Sequence, residues 1–118
     1  METGKPLWDS LSEIQAMIGK IDISIDAYFE RCSDKKFEID QKKVSLQHKA
    51  LGVILILGPF NFPGHLPNGH MIPALIAGNS ILFKPSELTP MFGEELYKLW
   101  QSINIPKQII SIIQGEKS

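Results

Sequence analysis

Cysteine is nearly absent from the sequence, since Cys32 is the single one among 118 residues. One cysteine permits no internal disulfide, which favours a reducing compartment. The N-terminus lacks the basic start and apolar stretch of a secretory signal. The longest apolar run, residues 50–57, is far shorter than the roughly 20 residues that span a bilayer. We therefore predict a cytoplasmic protein with no membrane partner.

The sequence also has no large excess of positive or negative charge. Twelve lysine and arginine residues stand against thirteen aspartate and glutamate residues, a net charge of −1, so nucleic acid is not an expected partner. Neither G-x-G-x-x-G nor G-x-x-x-x-G-K-[ST] occurs, and nucleotide binding would have to use other means than these glycine-rich loops. His65 and His70 have no third ligand at a recognised spacing, so we expect no metal site.

The first of three predicted sections covers residues 1–36. Apolar side chains recur there at alternating spacings of four and three, which predicts a long helix with one apolar face. We call this face the apolar stripe; it consists of Leu7, Leu11, Ile14, Ile18, Ile21, Ile25, Tyr28 and Cys32. Pro6 suits the first turn, although a capping box from Ser10 to Glu13 would mark a later start. The stripe needs a packing partner.

The second and third sections follow at residues 37–50 and 51–118. The second changes to period two, which predicts two short antiparallel strands. The third reads strand, helix, strand, helix, strand, and its first strand is apolar on both faces, as a central parallel strand should be. Right-handed crossovers then give the first part of a nucleotide-binding β-α-β-α-β unit. The predicted fold class is α/β: a partial doubly wound, Rossmann-like parallel sheet preceded by a long helix and a short antiparallel hairpin.

Ligands of an open parallel sheet collect at the carboxyl ends of its strands. The first strand is followed by GPFNFPG at residues 58–64, which is too rich in proline and aromatic residues to be a loop chosen for flexibility. Asn61 offers two amide donors there, as stabilisation of a developing oxyanion requires. An Asx turn is the alternative, and composition alone favours it.

Lys84 and Glu87 follow the next strand. A cation and an anion at this position suit the vicinal hydroxyls of a ribose, whereas a solvated surface ion pair is the alternative. Cys32 lies on the apolar stripe, far in sequence from the strand ends, and we predict a packing role for it instead of a nucleophilic one.

Three motifs in order carry a resemblance to a known family: GPFNFP at residues 58–63, PALIAGN at 73–79 and KPSELTP at 84–90. Together with ETGKP at residues 2–6, they resemble the aldehyde dehydrogenase superfamily over almost the whole chain. The segment NFPGHLPNGH at residues 61–70 is most similar to succinylglutamate semialdehyde dehydrogenases, enzymes of arginine catabolism, because most relatives have lysine in the place of His70.

The resemblance implies a role for each candidate residue. Asn61 would donate its amide to the aldehyde oxygen as a cysteine thiolate attacks. Pro59 and Phe60 would lie beside the nicotinamide portion of NAD, with NADP not excluded, and Lys84 and Glu87 would hold the adenosine ribose. In the family, the cysteine nucleophile and the glutamate base lie downstream of these motifs, and this chain stops first.

We therefore expect a fragment of an enzyme that, when complete, oxidises succinylglutamate semialdehyde to succinylglutamate. Alone, the chain would be inactive. The alternatives are a residual nucleotide-binding module and an oligomerisation module without catalysis. The expected partners are a small-molecule aldehyde and further copies of the chain, because a truncated sheet exposes an apolar edge at its last strand and the apolar stripe would pair with a second copy.

Overall fold

The computed structural model describes residues 2–116. Three helices and five strands follow one another in the order helix, two strands, strand, helix, strand, helix, strand. Their bounds are α1 Leu7–Cys32, β1 Lys35–Ile39, β2 Lys42–Leu46, β3 Val53–Leu57, α2 His65–Ile76, β4 Ser80–Lys84, α3 Pro90–Ser102 and β5 Ile110–Ile112. The predicted α/β class, with a long helix and a hairpin before a parallel sheet, is confirmed.

Helix α1 begins at Leu7, directly after Pro6, so the later start at a capping box is wrong. The Ser10 hydroxyl donates to the Pro6 carbonyl oxygen within the first turn. The Glu13 carboxylate accepts its hydrogen bonds from a lysine and from the backbone of a different helix. A capping box needs both side chains to bond their own helix end.

Strands β1 and β2 pair antiparallel around a two-residue turn. The turn residues Asp40 and Gln41 have φ of 48° and 62°, the left-handed conformation that matches the twist of a tight hairpin. All strand residues are exposed except Val44, which is half-buried. The hairpin therefore exists as predicted, and its side chains contribute little to the core.

The parallel sheet has the order β3-β4-β5. The prediction that β3 is a central strand covered on both faces is wrong, because β4 is central and β3 lies at an edge. On β3 only Ile56 is buried, while Val53, Leu55 and Leu57 point to the opposite face and are more than half exposed. An apolar pattern on both sides of a strand indicates that both faces are covered, but it does not show which residues cover the second face.

Both crossover helices cover the same face of the sheet. Met71 of α2 and Leu96 of α3 join one buried cluster with side chains of all three parallel strands, namely Ile56, Ile81, Phe83 and Ile110. Alternation along the strands leaves the other face without a helix among residues 2–116. We call it the open face; Leu55 is 57% exposed on it.

Helix α1 packs on α2 through Glu13, Met17 and Ser24, which do not belong to the apolar stripe. Glu13 and Ser24 are buried, and the Met17 carbonyl oxygen accepts a hydrogen bond from Asn68. The stripe residues from Leu7 to Ile25 remain exposed. The radius of gyration, 17.4 Å, exceeds the roughly 13.5 Å of a compact chain of this length, so the molecule is elongated.

The middle of the apolar stripe borders a groove. Ile14, Ile18 and Ile21 line this space of about 580 Å³ together with α2 and α3. Leu99 and Ile103 of α3 are 61% and 49% exposed and line the same groove. Of the helices within residues 2–116, none has the length and apolarity to cross a membrane.

Candidate functional site

The loops that follow β3 and β4 lie side by side. Leu57 is paired with Lys84 in the parallel register, and the Gly58 amide donates to the Lys84 carbonyl oxygen at 2.8 Å. The carboxyl ends of both strands therefore meet at one edge of the sheet, as a nucleotide-binding sheet requires. The two loops therefore start next to each other in space, although more than twenty residues separate Asn61 from Lys84 in sequence.

The first loop, residues 58–64, is fixed at both ends. At Gly58, an added Cβ would lie 3.0 Å from the Phe83 ring, so a side chain there would collide with the core. At Gly64, an added Cβ would lie 2.6 Å from Met17 Sδ and 2.9 Å from Phe92 Cζ. Prolines at both ends further restrict the backbone. The prediction of a fixed loop shape agrees with these contacts.

Asn61 lies at the exposed tip of this loop. Within residues 2–116, the structure records no hydrogen bond from its side chain, and the predicted alternative of an Asx turn finds no support there. The exposed amide is therefore accessible to a ligand oxygen. Next to it, Pro59 is half-buried and Phe60 is 51% exposed, so an aromatic surface borders the amide.

Lys84 and Glu87 form an ion pair, with Nζ and Oε2 separated by 3.8 Å. Both side chains are partly exposed, and the Lys84 ammonium also donates to the Pro85 carbonyl oxygen at 3.3 Å. At this distance and exposure the pair contributes little to stability. The ammonium remains a donor and the carboxylate an acceptor, which together match a pair of sugar hydroxyls.

Hydrogen bonds connect the residues after β5 to the start of α3 and to β4. Gln114 donates from Nε2 to the Pro90 carbonyl oxygen at 2.8 Å, and the Ile113 amide donates to the Phe83 carbonyl oxygen. Thr89 takes the N-cap position of α3, but its buried hydroxyl has no hydrogen-bond partner within the described residues. The carboxylate of Glu2 accepts from the Met91 and Phe92 amides instead.

Glu13 caps α2 in the same way as Glu2 caps α3. Its Oε1 accepts hydrogen bonds from the Gly64 and His65 amides, both at 2.9 Å, and the Lys5 ammonium donates to Oε2 at 2.7 Å. Burial raises the pKa of Glu13, but the hydrogen bonds from Lys5, His65 and Gly64 and the Lys5 charge together hold the pKa below its ordinary value. A buried, ionised carboxylate thus closes the loop that carries Asn61.

The roles of Glu2, Lys5 and Glu13 were not predicted from the sequence. The predicted capping box includes Glu13, but the carboxylate bonds the start of α2, 51 residues away, and not its own helix end. Asn79, the last residue of the PALIAGN motif, fixes the start of β3, because its Oδ1 accepts from the Leu51 and Gly52 amides. Gly78, which precedes it, has a left-handed φ of 82°.

Cys32 ends α1 and is half-buried. Glu13, which contacts the loop, lies nineteen residues earlier on the same helix, a separation of about 28 Å along the axis. Cys32 therefore lies far from the loop of residues 58–64. Among residues 2–116, no group of three histidine, cysteine or carboxylate side chains could hold a metal ion.

The sequence of the whole chain decides its family. Residues 1–118 match the model of the aldehyde dehydrogenase family. The chain belongs to that family. It is 52% identical over 116 residues to an N-succinylglutamate 5-semialdehyde dehydrogenase from Chromobacterium violaceum, which covers 98% of this chain and 24% of the relative. A relative of the same name from Escherichia coli is 53% identical over 114 residues, covering 97% and 23%.

Solved structures of aldehyde dehydrogenases share the fold. Lactaldehyde dehydrogenase from Escherichia coli superimposes with a TM-score of 0.85 at 30% identity, over 97% of this chain and 24% of the other. The NADP-dependent glyceraldehyde-3-phosphate dehydrogenase from Bacillus halodurans, solved with NADP, gives 0.87 at 25% identity, over 98% and 25%. The chain thus spans about a quarter of the length of the relatives it matches.

Proposed function

We propose that this chain supplies the part of an NAD(P)-dependent aldehyde dehydrogenase that holds the aldehyde oxygen and the cofactor ribose. The observation that carries the proposal is that the Asn61 loop and the Lys84–Glu87 pair follow two paired parallel strands at one sheet edge. Residues 51–118 form the nucleotide-binding section. Residues 1–36 and residues 37–50 support that section and contribute to assembly of the protein. The single cysteine favours the cytoplasm.

The proposed substrate is succinylglutamate semialdehyde, oxidised to succinylglutamate in arginine catabolism. Two relatives at just over 50% identity carry names that specify this aldehyde. The segment around His70, in which the sequence departs from most of the family, supports the same choice. The reaction is proposed for the longer protein of which this chain covers about a quarter.

The residues at the sheet edge fit a dinucleotide. A ribose presents two neighbouring hydroxyls, each both donor and acceptor, and Lys84 and Glu87 offer one ammonium donor and one carboxylate acceptor. Pro59 and Phe60 would provide a flat apolar surface beside the nicotinamide. NAD, or NADP, would supply the hydride acceptor when bound.

The chemistry proposed for Asn61 is electrostatic. Attack on an aldehyde carbonyl moves negative charge onto its oxygen, and an amide donor held at that oxygen stabilises the charge. The loop is fixed at Gly58 and Gly64, so the donor does not have to be ordered during the reaction. Because Cys32 is distant and half-buried, we expect no aldehyde oxidation by this chain alone.

Calorimetric titration of the purified chain with NAD and with NADP tests the nucleotide site. Loss of the Glu87 carboxylate in Glu87→Ala is expected to weaken binding about tenfold, since a hydrogen bond to a charged group contributes roughly 1.5–3 kcal/mol and this site is partly exposed. Glu30→Ala, which removes an exposed carboxylate from α1, is the matched control and should bind like the wild type. Equal affinity of Glu87→Ala and the wild type would refute the assignment.

A second candidate function is assembly into a homo-oligomer. The exposed apolar stripe on α1, together with the open face of the sheet, is larger than the scattered apolar residues of ordinary monomers. We propose that the stripe contacts a second copy of the chain. Sedimentation velocity should show a coefficient that rises with concentration in the wild type and less so in Ile18→Glu. A monomer at all concentrations would contradict this proposal.

A further inference from the structure

The Lys5–Glu13 pair lies between the N-terminal segment and the loop that carries Asn61. Glu13 is buried, with 8% of its surface exposed, and its two carboxylate oxygens have different partners. One accepts from the Gly64 and His65 amides, and the other accepts from Lys5. A carboxylate shared in this way joins two segments that are more than fifty residues apart.

Lys5 also contacts the loop directly. Its ammonium lies 3.9 Å from the centroid of the Phe62 ring, within the range of a cation–π interaction. Phe62 is the residue after Asn61. The Lys5 ammonium therefore contacts both the Glu13 carboxylate, which binds the end of the loop, and the Phe62 ring, which lies next to the loop's tip.

From these contacts we infer that Lys5 and Glu13 are positioning residues that set the orientation of the Asn61 amide. Glu13 fixes the end of the loop through Gly64, and Lys5 fixes Phe62 beside Asn61. Neither residue touches the aldehyde or the cofactor in the proposed function. The inference rests on the proposed role of Asn61 but concerns the order of the loop in the free protein.

Glu2 provides an internal comparison. Its carboxylate accepts from the Met91 and Phe92 amides at 2.9 and 2.7 Å, so it caps α3 by the same chemistry with which Glu13 caps α2. The hydrogen bonds of Glu2 do not involve residues 58–64. Loss of Glu2 should therefore loosen the start of α3 and leave Asn61 unchanged.

Nuclear magnetic resonance of the full chain without ligand tests the inference. In Glu13→Ala, we expect the Asn61 side-chain amide signals to shift towards those of an unstructured asparagine. Hydrogen exchange at Gly64 and His65 should accelerate about tenfold, the change expected when a buried amide loses its acceptor. Glu13→Gln retains one acceptor oxygen for the Gly64 and His65 amides and should restore their protection from exchange. Glu2→Ala should alter Met91 and Phe92 only.

Lys5→Met separates the two contacts and decides the matter if Glu13→Ala does not fold. It should release Phe62 and shift the Asn61 signals while Gly64 and His65 stay protected by Glu13. Asn61 signals that remain at their wild-type positions in Lys5→Met would overturn the inference, as would equal changes at Asn61 in Glu2→Ala. Because no nucleotide is added, a failure to bind NAD leaves these outcomes unaffected.

Discussion

Replacement of Phe83 by alanine is expected to lower the free energy of unfolding by about 3–5 kcal/mol, the usual cost of removing a buried aromatic side chain. Phe83 is 1% exposed and joins the central strand β4 to both helices through the single core cluster. Its ring also fills the space at Gly58. A cavity at this point would therefore weaken the core and remove the support of the loop.

Leu55→Ala is the matched control for this substitution. Leu55 lies on the neighbouring strand, but it points to the open face and is 57% exposed. We expect its loss to cost less than about 1 kcal/mol, as for most exposed positions. Urea unfolding followed by circular dichroism measures both variants. Equal losses for Phe83→Ala and Leu55→Ala would contradict the assignment of the core to one face of the sheet.

Gly93→Ala is expected to destabilise the chain by about 1–3 kcal/mol through overpacking. An added Cβ would lie 2.5 Å from Cγ and 2.6 Å from Cβ of Pro85, and a proline ring cannot rotate away. Pro85 connects Lys84 to Ser86, so its displacement would also move the proposed ribose pair. We expect Gly93→Ala to weaken nucleotide binding as well as stability.

The same substitution in another helix should have the opposite sign. Gly19 lies within α1, and an added Cβ there would meet nothing within 4 Å. Gly19→Ala should therefore stabilise the protein by about 0.5–1 kcal/mol, because alanine is the better helix former. Thermal unfolding of both variants provides the test. A higher thermal stability of Gly93→Ala than of the wild type would show that a side chain at this position of α3 does not collide with Pro85.

The elements of the fold could be predicted well because their signals are local. The spacing of apolar residues places α1, and the strands and helices of residues 51–118 are marked by β-branched runs and by Pro90 and Gly78 at helix ends. The position of β3 in the sheet could not be predicted. Strand order depends on which neighbours pair, and an apolar strand looks the same at an edge and in the centre.

The site was predictable in part for the same reason. Asn61, Lys84 and Glu87 follow predicted strands, so the topology of a parallel sheet places them at one edge. Glu13 and Glu2 act on helices that lie more than fifty residues away in sequence. The pattern from Ser10 to Glu13 resembles a local cap, and no property of α1 alone shows that its carboxylate bonds α2.

The edge formed by the ends of β3 and β4 is proposed to hold a dinucleotide. This proposal can be tested by titration of the isotope-labelled chain with NAD, followed by nuclear magnetic resonance. We expect the largest shift changes on Lys84, Glu87 and the loop of residues 58–64. Changes confined to the groove between α1 and α3, or no change at millimolar NAD, would contradict it.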